Sequence, residues 1–251
     1  MAEVAFAGLS VRYGERTVLG GVSARIAPGE RCAVVGPNGS GKTTLLRALA
    51  GIVEPAAGGV EVAGRPLGGL SRREAARLSA FLPQEEHWEF PFTVEEVVRC
   101  GRFAHATGLY REAPGDRRAV ADALEATGMD ALRGRPITEL SGGERRRAVL
   151  ARVLAQQAPV LLLDEPTTAL DLEHRSAVLR ALRDLRATVV MATHDLDAAA
   201  RCGRVLLLAA GRIVADGTPE EVLAEQRLRD VFRVAVRVVR DGGRIHVVAE
   251  I

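Results

Sequence analysis

Eight consecutive residues, Gly36-Pro37-Asn38-Gly39-Ser40-Gly41-Lys42-Thr43, have the types and spacing to hold the phosphates of a nucleotide. The glycines let successive backbone N–H groups turn toward phosphate oxygens, Lys42 adds a point charge at the β and γ phosphates, and Thr43 offers a hydroxyl to Mg²⁺. Far along the chain, Asp164-Glu165 ends the apolar run Val160-Leu161-Leu162-Leu163. Two adjacent carboxylates at the C-terminal edge of a strand suit different tasks. Asp164 would hold Mg²⁺, commonly through water, and Glu165 would polarise the water that attacks the γ-phosphate. Between these segments stands Leu140-Ser141-Gly142-Gly143-Glu144, at the head of a helical run. A serine hydroxyl and glycine N–H groups at a helix N-terminus make a second anion site. One chain has no need of two γ-phosphate sites.

Elements of the right kind flank these residues. Arg31-Cys32-Ala33-Val34-Val35 reads as a strand feeding the glycine loop, and residues 43 to 49 open a helix. The apolar runs at 160 to 163, 188 to 192 and 205 to 209 have the character of parallel strands buried on both faces, which require helices above and below. Residues 3 to 27 read as alternating strands around a turn at Gly14-Glu15. From about 86 to 158 the period becomes helical, with Val94, Val97 and Val98 spaced for one face and Ala119, Ala123 and Leu124 for another. Gly108, Pro114 and Gly134 interrupt it. The fold class is therefore α/β: a phosphate-loop core with a mainly parallel sheet, an N-terminal antiparallel β subdomain and an inserted α-helical subdomain. One domain is expected over 1–225, its nucleotide-binding core at 1–85 and 159–225 and its helical subdomain at 86–158. A C-terminal extension follows at 226–251, where apolar and polar residues alternate from Val231 around Asp241-Gly242-Gly243 and predict a β-hairpin.

Composition narrows the partners. With 34 basic and 32 acidic residues interspersed along 251, the net charge of +2 gives no field suited to nucleic acid. The densest basic run, Arg145-Arg146-Arg147, reads as a solvated helix face. Cys32, Cys100 and Cys202 are odd in number and far apart, which fits neither a disulfide framework nor a zinc site but a reducing cytosol. His87, His105, His174 and His246 have no metal-ligand spacing either. No stretch approaches the ~18 apolar residues of a membrane span, so any dealings with a membrane are expected through another chain.

Taken in order, the loop at 36 to 43, Leu-Ser-Gly-Gly-Glu at 140 to 144 and the acidic strand end at 160 to 165 resemble the ATPase subunit of ABC transporters, over about residues 3 to 225. The resemblance implies a RecA-like core, ATP and Mg²⁺ as cofactors, and ATP hydrolysis coupled to transport. It extends to single residues. Tyr13 resembles the aromatic that stacks on adenine, and Thr44 continues the nucleotide contacts of the loop. Gln84 resembles the glutamine that links Mg²⁺ and the attacking water to the helical lobe, and so joins Thr43 and Asp164 at the metal. Asp171, in Thr168-Ala169-Leu170-Asp171, resembles the acid that crosses to the partner subunit. His194 resembles the switch histidine that touches the γ-phosphate, so that Lys42, Gln84, Glu165 and His194 make the expected catalytic set. In the family two subunits pair head to tail, and Ser141, Gly142, Gly143 and Glu144 of one close over the ATP held by the other. A homodimer is the simplest such assembly.

A finer likeness rests on Phe81-Leu82-Pro83-Gln84, on Phe92-Thr93-Val94-Glu95-Glu96-Val97-Val98 with Gly101-Arg102 and His105, on Glu144 followed by arginines, and on Thr167-Thr168-Ala169-Leu170-Asp171-Leu172. These segments resemble subunits of importers for iron-siderophore, haem or vitamin B12, although Ala104 stands where those relatives often show proline. That branch implies two integral membrane permease subunits as separate chains, an extracytoplasmic substrate-binding protein acting indirectly, and a peripheral place on the cytoplasmic face of the inner membrane. Trp88, Phe90 and Phe92 are expected to help line the groove that receives the permease's coupling helix. The alternative is a soluble ABC ATPase with a mechanical or scaffold role and no permease. A phosphate-loop kinase would leave residues 141 to 144 without a purpose.

Overall fold

Strands that are apolar throughout are stable only between two layers of other structure, and the apolar runs are placed in that way. The computed structural model describes residues 1–106, 115–168, 170–241 and 244–249. Strands β1 (Val4–Tyr13) and β2 (Arg16–Ile26) are joined at Gly14-Glu15, and β3 (Arg31–Val35) leads through the glycine loop into α1 (Lys42–Leu49). There follow β4 (Ala57–Val62), β5 (Arg65–Pro66), α2 (Arg72–Leu78), β6 (Ser79–Leu82), α3 (Val94–Cys100), α4 (Asp116–Ala126) and α5 (Gly142–Ala155). The second half runs β7 (Val160–Asp164), α6 (Leu172–Asp184), β8 (Thr188–Ala192), α7 (Leu196–Ala199), β9 (Arg204–Ala209) and β10 (Arg212–Gly217). It closes with α8 (Pro219–Val222), α9 (Glu225–Phe232), β11 (Val236–Asp241) and β12 (Arg244–Ala249).

The main sheet has the order β10-β9-β3-β8-β7-β6, parallel from β9 to β6 with β10 antiparallel on its edge. Every residue of β7 and β8 is buried. A second, antiparallel sheet, β2-β1-β4-β5, covers one side. Phe6, Leu9 and Val11 of β1 meet Leu45, Leu46 and Leu49 of α1 in one core. In the helical subdomain Val94, Val97 and Val98 pack against Ala123, Leu124, Ala148 and Ala151, as the helical period predicts. The other side of α5, through Val149, Leu150 and Val153, packs on Leu161 and Leu163 of β7. α5 is thus buried on two sides and joins the subdomain to the catalytic sheet. Gly101 belongs to this junction, because a Cβ there would stand 2.2 Å from the Arg152 carbonyl oxygen.

The tail departs from its expected start. Val231 and Phe232 complete α9, so the hairpin begins only at Val236, and a boundary between 225 and 226 falls inside a helix. The hairpin also packs inward: Val236 and Ile245 share a core with Ala33, Val35, Val205 and Leu207. Gly108, Pro114, Ala169, Gly242 and Gly243 lie outside the described residues.

Candidate nucleotide site

β3 and β7 deliver the two halves of the site to one edge of the sheet, at the carboxyl ends of its parallel strands, where ligands bind in open α/β folds. The glycine loop after β3 passes close to β9. Gly36 is possible there because it has no side chain; a Cβ would stand 2.0 Å from the Leu208 carbonyl oxygen. Helix α1 starts from Gly41 in a left-handed conformation with no side-chain cap, so its first N–H groups are suited to an anion.

Lys42, the only lysine of the chain, donates from Nζ to the carbonyl oxygens of Gly36 (2.8 Å) and Pro37 (3.1 Å). Burial pulls its pKa down, while Glu165 and Asp164 push it back up. Burial likewise raises the pKa of Asp164, against a hydrogen bond from Thr43. Asp164 Oδ2 is buried without a hydrogen-bond partner, as is Ser40 Oγ in the loop. An orphaned carboxylate oxygen next to a threonine hydroxyl is the oxygen donor set that a small hard dication takes, so these residues fit Mg²⁺.

Glu165 adopts a left-handed backbone (φ 52°), uncommon for a residue with a side chain, and its N–H donates to the Ala192 carbonyl (2.9 Å). Its carboxylate Oε2 is 2.8 Å from His194 Nδ1. The two meet because β7 and β8 are parallel neighbours in register, Asp164 opposite Ala192, and each overshoots the ladder by one or two residues. A cavity of about 460 Å³ opens here, lined by Arg16, Val18, Asn38, Gly39, Gly41, Lys42, Thr43, Thr44, Gln84, Asp164 and Glu165.

Arg16 and Val18 went unforeseen. Their signal is the β1–β2 register, which pairs Tyr13 with Arg16 and so brings the start of β2 to the loop. Tyr13 itself is 46% exposed and lies beside the cavity lining, not in it. Ser141, Gly142, Gly143, Glu144 and Asp171 do not line the cavity at all. Ser141 is exposed and caps α5: its hydroxyl accepts from the Glu144 N–H, while the Glu144 carboxylate accepts from the Ser141 N–H at 2.9 Å. Those bonds from Ser141 hold the Glu144 carboxyl below the usual range. Exposed Asp171 caps α6 in the same manner, accepting from the His174 N–H at 2.8 Å.

The arginine run is not a solvated face. Arg146 is buried, and its guanidinium reaches the carbonyl oxygens of Pro83, Gln84, Asp164 and Glu165. Arg145 turns back to the Leu140 carbonyl, and Arg147 to those of Thr127 and Gly128. The reason is the double burial of α5, which leaves three consecutive positions no common outward side. Among the aromatics, Trp88 packs against both cores that α5 joins, whereas Phe90 is 65% exposed. Phe92 stands edge-on to both, with ring centroids 6.4 and 6.2 Å away. His105 is taken up by the Gln156 carbonyl at 2.8 Å.

Residues 19–168 match the family described as ABC transporter, and the chain belongs to that family as an ATP-binding, ATP-hydrolysing subunit. A hemin import ATP-binding protein of Streptomyces coelicolor is 52% identical over 235 residues, 92% of this chain and 83% of the relative. A hemin import ATP-binding protein of Pseudomonas aeruginosa is 47% identical over 95% of both chains. A cobalamin import ATP-binding protein of Halobacterium salinarum is 44% identical over 93% of this chain, which spans 60% of that longer protein. Among solved structures, an inward-facing ABC transporter assigned to the metal-chelate type superposes with a TM-score of 0.84 at 28% identity, covering 100% of this chain and 98% of that one. A dimeric ATP-binding cassette in a post-hydrolysis state with ADP and phosphate gives 0.78 at 26% identity, covering 86% and 98%. No helix among the described residues is long and apolar enough to cross a membrane.

Proposed function

We propose that this chain powers the import of a metal chelate, of the haem, cobalamin or ferric-siderophore class, as a head-to-tail homodimer beneath two integral membrane permease subunits. One observation carries the dimer: the two anion-binding elements of the chain do not meet, because Ser141 to Gly143 stand outside the cavity that holds Lys42 and Glu165. A second copy, turned about a twofold axis, supplies what each cavity lacks, and exposed Asp171, also outside the cavity, is free to reach that copy. The names of the relatives support an importer over a mechanical role without a permease, and they supply the substrate class. The same resemblance supports a peripheral place on the cytoplasmic face of the inner membrane, with an extracytoplasmic binding protein acting indirectly. It also supports the division into a nucleotide-binding core before residue 86 and after residue 158, with a helical subdomain at 86–158 between them.

In this reading the loop from Gly36 to Thr44 grips the phosphates through its N–H groups and Lys42. Mg²⁺, when bound by Thr43 and Asp164 with Gln84 beside it, neutralises phosphate charge. Glu165 takes the proton of the attacking water, and His194 steadies its carboxylate. The water oxygen would bond to the γ-phosphorus as the bond from that phosphorus to the β–γ bridging oxygen breaks, leaving ADP and inorganic phosphate; the group shared by both copies is lost, and the dimer opens.

Reconstitution tests both levels. Glu165→Gln with MgATP is expected to elute at twice the monomer mass, and Lys42→Ala is not; a strictly monomeric Glu165→Gln would sink the dimer. With the permease in vesicles, ATP hydrolysis should rise on adding the binding protein loaded with haemin, cobalamin or a ferric siderophore. Stimulation by none of the three overturns the substrate class.

A further inference from the structure

Parallel strands β6 and β7 pair as far as Leu82 opposite Leu163, and beyond that pair their ladder stops. Four carbonyl oxygens just past the stop, those of Pro83 and Gln84 on one side and Asp164 and Glu165 on the other, converge on a single side chain. Arg146 Nη1 donates to Pro83 and Gln84 (3.1 Å to the latter), and Nη2 to Asp164 and Glu165 (2.7 Å to the latter). The guanidinium is buried with its Nε unpartnered, a costly place for a charge held by main-chain dipoles. Burial lowers its pKa to about 10, so it stays protonated at neutral pH with Asp164, Glu165 and Glu86 nearby. What the charge holds is specific: the backbone of Gln84, and the left-handed backbone of Glu165.

Arg146 belongs to α5, whose N-cap is Ser141. The helix is packed on both sides, so its N-cap and Arg146 are fixed to one another through the same continuous element. We infer that Arg146 is a positioning residue that ties the base and Gln84 of a chain to the place of its own Ser141 segment, so that each site fires only when that segment is seated on the other copy's ATP. This rests on the head-to-tail dimer proposed above. Arginine suits the task because its planar fork spans both strand ends, which the single ammonium of lysine does not.

The test is steady-state hydrolysis by the full chain carrying Arg146→Lys or Arg146→Gln, with ATP affinity measured separately. Expected are affinity within about twofold of wild type, a kcat lower by about tenfold to a hundredfold as for a misplaced catalytic group, and a Hill coefficient that drops from above 1 to about 1. A kcat that falls while the Hill coefficient holds would mean Arg146 serves the base alone, and overturns the coupling. Variants that lose only thermal stability overturn it as well, as does a wild type without cooperativity. Should neither variant fold, hydrogen exchange on the wild-type chain with a non-hydrolysable ATP analogue decides: residues 84–85 and 165–167 must gain protection in step with 143–146. Dimerisation of Glu165→Gln separates the failures. If that variant pairs yet Arg146→Lys stays cooperative, this inference alone is wrong.

Discussion

At the residue scale, the site sets stability against chemistry at Asp164. Its carboxyl is buried, one oxygen has no partner, and burial raises its pKa above the unfolded value. The sign follows: above the raised pKa the ionised carboxylate lowers the stability of the fold, and the penalty fades as pH falls through it. Asp164→Asn is therefore expected to stabilise the nucleotide-free protein by on the order of 1 kcal/mol, a shift of about 2–4 °C in melting temperature. The gain should shrink in melts at acid pH, and MgATP hydrolysis should be lost. An Asn variant that melts lower than wild type at pH 8 would show that the carboxylate is better accommodated than its surroundings imply. What was legible here was contiguous. Asn38, Gly39, Gly41, Lys42 and Thr43 on one side and Asp164-Glu165 on the other line one cavity, and each group is a run of neighbours in sequence that pattern alone can pick out. Arg146 was read wrongly for the opposite reason: nothing local distinguishes a buried arginine from two that fold back on nearby carbonyls, and only the packing of α5 separates them.

At the element scale, the helical subdomain divides its aromatics between two tasks that their clustering in sequence does not reveal. Trp88 packs against the cores on both sides of α5, while Phe90 faces outward and touches Phe92 edge-on. Trp88 is thus part of the joint between subdomain and sheet, and Phe90 is the better probe of a docking surface. Trp88→Ala should cost roughly 3 kcal/mol by opening a cavity at that joint. Phe90→Ser should leave thermal stability within about 0.5 kcal/mol, yet reduce copurification of the permease several-fold. Equal permease recovery with Phe90→Ser and wild type would remove that face from the interface. The helices themselves were readable because their caps and periods agree: Thr93 with Glu96 and Ser141 with Glu144 each close a capping box at the start of a buried stripe. The strand order was not readable, since apolar runs state that strands are central without stating which lies beside which.

At the scale of the whole molecule, the C-terminal hairpin is part of the catalytic unit although it lies beyond the residues that match the family. Val236 and Ile245 are buried against Ala33 and Val35 of β3 and Val205 and Leu207 of β9, the strands that carry the phosphate loop and back it. A second tie reaches α7, where Asp197 accepts from the Val247 N–H at 3.1 Å. Asp195, next to His194, caps α7, and Arg175 of α6 donates to that same Asp195, so the hairpin braces the turn that presents His194. Removing residues 234 to 251 exposes the apolar side of β3 and β9 and frees α7. Two buried aliphatic side chains are worth about 3–5 kcal/mol by area, as an upper bound, which for a domain of this size lowers the melting temperature by roughly 10 °C. Hydrolysis measured well below that transition should still fall several-fold, because the His194 turn has lost its brace while Lys42 and the loop have not. Unchanged melting after truncation would make the hairpin an appendage; lower melting with unchanged hydrolysis would confine it to the core and free the histidine from it.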